Sequence, residues 1–104
     1  MSFDLRYNPE IVDDREDLKS EKWKVIEQKI REVQDEGTKH KDVKLVPNSN
    51  IEHPIWEMTV NETEEGHRVF LDIKEGVLVV LAVWNFKFTH SGDKHWEKLQ
   101  ERMN

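Results

Sequence analysis

The chain contains no cysteine and only three prolines and four glycines in 104 residues. Without thiols it builds no disulfide framework, thiolate zinc site or iron–sulfur cluster, and it has no cysteine nucleophile. Long apolar runs are missing as well, since no stretch approaches the roughly 18 apolar residues of a membrane-spanning helix. The opening residues, Met1-Ser2-Phe3-Asp4-Leu5-Arg6, hold neither a basic segment nor an apolar h-region, so a cytoplasmic setting is expected. There is no glycine-rich phosphate loop, GxSxG elbow or paired-carboxylate motif, which leaves nucleotide-hydrolysing, hydrolase-elbow and glycosidase chemistry without a basis. Positive charge is in deficit: 16 Lys and Arg against 22 Asp and Glu give a net charge of −6, at odds with a broadly basic nucleic-acid-binding surface. A local basic pocket remains compatible with that balance.

Large aromatic residues are present in number. Four Trp and four Phe supply apolar area that disordered chains lack, so residues 1–104 are expected to form one compact domain. Five histidines (His40, His53, His67, His90, His95) raise the question of a metal. They form no HExxH and no His pair at i,i+4, so no metal centre or other cofactor is expected.

The pattern along the chain predicts an α+β fold. Phe3, Leu5 and Tyr7 alternate with Asp4 and Arg6 as in a half-buried strand. Asn8-Pro9-Glu10 then starts a first helix that runs to about Lys19, with the acidic residues at 13–17 read as a solvated face. Ser20 is a suitable cap for a second helix, whose stripe is Trp23, Ile26, Ile30 and Val33 and whose stop is Gly37. The polar, basic residues 38–44 and the Pro47-Asn48-Ser49-Asn50 turn read as a loop after this helical hairpin.

Trp56, Met58 and Val60 then alternate with Glu57 and Thr59, a strand exposed on one face, and residues 61–66 make an acidic turn. Residues 67–88 form a β-hairpin turning at Lys74-Glu75-Gly76, and its second strand, apolar on both faces, belongs inside a sheet. Ser91 or Asp93 opens a short last helix carrying Trp96, Leu99 and Met103. Strand phase assigns Trp56 and Trp84 to the core, and Trp96 anchors the final helix. The expected architecture is an N-terminal strand, a two-helix hairpin, a three-stranded antiparallel meander joined to the first strand, and a short C-terminal helix.

That layout, with Ile55-Trp56-Glu57-Met58 ahead of Gly66-His67-Arg68-Val69-Phe70 and the apolar run from Gly76 to Val83, resembles the RelE/ParE superfamily of toxin–antitoxin toxins. The resemblance spans nearly the whole chain. RelE-like members cut messenger RNA on the ribosome without a metal, ParE-like members inhibit DNA gyrase, and an antitoxin protein neutralises both. The resemblance therefore implies a toxin with an antitoxin partner and ribosome-bound messenger RNA as target. The alternative it implies is a RelE/ParE-fold binding module, without ribonuclease activity, for an antitoxin-like partner or gyrase.

Residue by residue, Arg68 stands at the family's strand arginine, where a guanidinium fork suits a scissile phosphate. The alternative for Arg68 is a cross-strand pair with Glu57. In the tail, Lys87, His90 and His95 are the candidates for charge and acid–base work, a histidine being able to titrate near neutral pH. Lys44, from the basic stretch, and Lys94, from the tail, are the candidate RNA contacts, with ordinary solvation as the alternative. The chain departs from the family pattern at Glu57 and Thr59, where ribonuclease members carry lysines. It departs again at Phe86, near the family's tail arginine, and in having no tail tyrosine.

Overall fold

A computed structural model describes residues 2–16, 18–46, 54–89 and 94–103. Strand β1 (Asp4–Tyr7) lies parallel to β5 (Val77–Asn85), with Leu5 opposite Leu78 and Tyr7 opposite Val80. Asn8 ends β1 in two ways. Its N–H makes a last rung to Val80 O at 2.9 Å, and its Oδ1 accepts the Glu10 N–H at 2.9 Å, as an Asx turn does before a helix. Helix α1 spans Ile11–Glu16, ending short of the expected Lys19 because Lys19 is extended (ψ 148°) and already caps α2 (Ser20–Glu36). Ser20 is thus the first residue of α2 rather than its cap, and no side chain caps that end. The expected stripe of α2 is buried as Trp23, Ile26, Ile30 and Val33. Gly37 stops the helix at φ +62°, and a Cβ there would lie 2.7 Å from the Phe3 ring, so both conformation and contact require glycine.

Residues 38–44 differ from the expected loop. After a 3₁₀ turn at Gly37–Lys39, strand β2 (Val43–Leu45) pairs antiparallel with β3 (Trp56–Val60). Three residues are too short to show a period. The strand is held instead by one local and two tertiary ties: the Asp42 N–H donates to His40 Nδ1 at 3.0 Å, and Lys29 of α2 reaches Asp42 at 2.8 Å and Glu62 at 2.9 Å. Those two carboxylates push Lys29 up to about 12, and Lys29 in turn holds both below their ordinary values.

Strands β4 (His67–Lys74) and β5 form the expected hairpin, its turn made by Glu75 (φ 51°) and Gly76 (φ 80°). Two successive positive φ values match the right-handed twist of paired strands. The pairing slips at Leu81: Leu71 faces Val80 while Phe70 faces Ala82, a bulge that turns Leu81 and Ala82 to the same side.

The sheet order is β1-β5-β4-β3-β2, giving a mixed α+β fold of five strands and four helices among the described residues. One face packs Met58, Val60, Val69, Leu71, Leu78 and Val80 under Ile26, Ile30 and Val33 of α2. The opposite face packs Phe70, Leu81, Ala82 and Trp84 under Leu99, Trp96 and Met103 of α4 (Lys94–Met103), while the short helix α3 (Phe86–Thr89) continues directly from β5. Covering both sides corrects the reading of β3, since Glu57 on its supposedly exposed face is only 8% exposed. No described helix is long and apolar enough to cross a membrane.

Candidate functional site

The face of the sheet beneath α4 gathers the residues singled out for chemistry. Arg68 stands between Thr59 of β3 and Trp84 of β5, and the next residue on its face, Phe70, stands between Glu57 and Ala82. Immediately after β5 the chain folds back on β4. The Phe86 N–H donates to Gly66 O at 3.1 Å, and the Phe86 ring lies where a Cβ on Gly66 would meet it at 2.6 Å. Gly66, at φ +76°, is therefore required twice over. On Phe86 rests the guanidinium of Arg68, its Cζ 5.1 Å from the ring centroid.

His95 of α4 packs among three rings, with centroids 6.2 Å from Phe70, 6.4 Å from Trp84 and 6.4 Å from Phe88. Phe70 and Trp84 are themselves 5.5 Å apart, and on the sheet they flank Arg68, two residues away and directly paired, so Arg68 of β4 and His95 of α4 neighbour the same two rings. Lys87 is exposed on α3. Lys44 is exposed on β2, its Nζ 3.3 Å from Glu57 Oε1, so this candidate RNA contact forms the ion pair of Glu57. Lys94 opens α4, and His90 lies outside the described residues.

Sequence reasoning missed the strongest polar feature of this face. Asp14, read as part of a solvated helix surface, has a side chain only 5% exposed. It accepts hydrogen bonds from Arg102 Nη1 (2.7 Å) and Nη2 (2.9 Å), the Val83 N–H (3.0 Å) and Trp84 Nε1 (3.2 Å). Arg102 also meets Glu10 at 3.1 Å and donates to Leu81 O at 2.9 Å. Burial lowers the Arg102 pKa, but hydrogen bonding and charge from Asp14 outweigh it, and the group is held above its usual value. The arrangement has a backbone cause: β1 pairs with β5 only through Val80, and the Asp14 carboxylate takes up the Val83 N–H beyond that point. No local pattern could reveal it, because Asp14 and Arg102 are 88 residues apart.

His67 is buried on β4, its Nδ1 2.8 Å from Thr63 Oγ1 and its Nε2 3.5 Å from Glu65. Burial pulls its pKa below the ordinary imidazole value, with Glu65 opposing. Glu32, Glu36 and His40 bring three potential metal-ligand atoms within 4.8 Å of one another, a spacing of i, i+4 and i+8 that a search for paired histidines passes over. The ring of His40 is committed elsewhere. Nδ1 accepts the Asp42 N–H, which puts the proton of the neutral ring on Nε2, 2.9 Å from Glu32. Neither nitrogen then offers a lone pair to a cation, and the cluster braces the turn into β2.

No protein-family model matches the chain, and no curated protein matches it.

Proposed function

We propose that the chain is the toxin of a toxin–antitoxin pair, a RelE-like endoribonuclease acting on translated messenger RNA without a metal. Support for the fold comes from β1 joining the sheet beside the β4–β5 hairpin, as the sequence resemblance implies; its parallel direction and the added strand β2 were not part of that expectation. The observation that carries the chemistry is Arg68 and His95 beside the same two rings, Phe70 and Trp84. In this reading Arg68 binds the scissile phosphate and stabilises charge in the phosphorane, while His95 moves a proton to or from a ribose oxygen. Lys87 supplies further positive charge from α3. Induced expression in bacteria, with primer extension on translated messages, tests the proposal: wild type arrests growth and cuts message, and Arg68→Ala and His95→Ala do neither. A wild type that is inert and indistinguishable from Arg68→Ala removes the reading.

One observation favours a second reading, a RelE/ParE-fold binding module for an antitoxin-like partner or gyrase. Glu57 is buried on the same face, opposite Phe70 and diagonal to Arg68, where its carboxylate disfavours a phosphate. Under this reading the chain copurifies with a small basic partner and cleaves no RNA. A gyrase target appears as DNA-damage signalling in place of translation arrest.

A further inference from the structure

Next to the Arg68–His95 patch, and sharing its rings Trp84 and Phe88, a cleft of about 470 Å³ opens between α1 and α4 at the end of β5. Part of its wall is aromatic, formed by Trp84 and Phe88 with ring centroids 4.8 Å apart. The rest is mostly acidic. Glu10 and Asp14 are taken up by Arg102, and Glu65 by Lys22 (3.2 Å) and His67 (3.5 Å), so what remains is Asp13 from α1 and Glu101 from α4, facing Lys98.

The cleft's own cations show what its walls accept. The Arg102 guanidinium carbon lies 5.2 Å from the Trp84 centroid, and the Lys98 ammonium lies 5.6 Å from that of Phe88. Rings attract cations through their negative faces, and the attraction grows as water is excluded. These two cations differ in one respect. Arg102 is locked by Asp14, whereas Lys98 is exposed and forms no ion pair among the described residues. Lys98 therefore covers the Phe88 ring with a charge that a better-held cation can displace.

We propose that this cleft binds an alkylammonium or guanidinium group, seated against Phe88 and flanked by Asp13 and Glu101, with Lys98 swung aside. Concave walls of one sign concentrate the opposite charge at their mouth. Two sources carry that chemistry, a lysine or arginine side chain of a basic protein segment and a free polyamine. Neither depends on RNA cleavage, and although the cleft shares Trp84 and Phe88 with the rings around His95, binding is read with variants at Asp13, Lys98 and Glu101 that leave Arg68 and His95 in place.

Two-dimensional NMR of the full chain tests it, with agmatine, spermidine, Nα-acetyl-lysine methylamide and inorganic phosphate as probes. The Trp84 indole N–H and the amides of Phe88 and Glu101 are expected to shift saturably with the three cations and not with phosphate. The double variant Asp13→Asn/Glu101→Gln weakens binding on the order of tenfold, and Lys98→Ala tightens it roughly threefold by removing the resident charge. All three positions are exposed, and the gain expected from Lys98→Ala is not one that misfolding can mimic. Tighter binding of the lysine derivative than of spermidine assigns a protein segment as the source, and the reverse order assigns a polyamine. The proposal is overturned by the absence of a saturable shift, by phosphate acting as the cations do, or by affinities that both variants leave unchanged.

Discussion

The two faces of the sheet are built from different materials. Under α2 the contacts are nearly all aliphatic, Ile26, Ile30 and Val33 against Met58, Val69, Leu71 and Val80. Under α4 the packing is aromatic and threaded with charge, with Arg68 on Phe86, His95 among Phe70, Trp84 and Phe88, and Asp14–Arg102 closing the edge. Aliphatic burial stabilises without regard to direction, so the first face tolerates exchange of like for like. Buried charges and ring contacts depend on geometry, so the second face is where one substitution reorganises neighbours and where chemistry can reside.

Removing Arg102 is the sharpest way to break this contrast. Arg102→Met leaves the Asp14 carboxylate buried and uncompensated, with an expected loss of about 3–5 kcal/mol in urea unfolding. Adding Asp14→Asn recovers part of it, because the amide oxygen still accepts the Val83 N–H. A neutral Arg102→Met would mean that α4 is held by its apolar side chains alone.

On the aliphatic face, Ile30→Ala costs about 2–5 kcal/mol by cavity formation, and Ile30→Leu costs under about 1.5 kcal/mol, since shape there is forgiving. Equal losses for the two variants would put the faces on the same footing.

A finer test compares two glycines. Gly66→Ala forces a positive φ on alanine and drives its Cβ into Phe86, with an expected cost of about 1–3 kcal/mol and a displaced Arg68 visible in its side-chain NMR signals. Gly76→Ala meets open space, so only the backbone cost of about 1 kcal/mol is expected.

The smallest effect is a pH dependence. Burial holds the folded pKa of His67 below that of an ordinary imidazole, so its neutral form is favoured by folding. The unfolded chain binds the proton first on acidification. The His67 contribution is therefore complete above about pH 6.5 and is lost as pH falls through the folded value. Denaturant midpoints should fall between pH 7.5 and 5.5, and His67→Gln should flatten that part of the curve. Lys29 works in the opposite direction at the alkaline end. Its pKa is raised from 10.5 to about 12, so its contribution is complete below about pH 10.5 and disappears as pH passes 12.

The parts of this protein that depend on neighbours in the chain were readable without a structure. The alternation at Leu5 and Tyr7, the stripe Trp23, Ile26, Ile30 and Val33, the stop at Gly37 and the Glu75-Gly76 turn are local patterns set by backbone sterics and side-chain periodicity. They were sufficient for an α+β layout and for placing Arg68 on a strand, whereas His95, read as part of the polar tail, is on α4. What required the tertiary structure involves partners far apart in sequence. Strand β2 exists because Lys29 holds Asp42 and β3 offers its edge. Glu57 is buried because the sheet is covered on its second side. Asp14 leaves the solvated face it shares with Asp13 because β5 continues past the end of β1 and exposes an N–H, and because Arg102 arrives from 88 residues away. Periodicity records which side of an element is apolar, but only the assembled fold sets which charges meet across it.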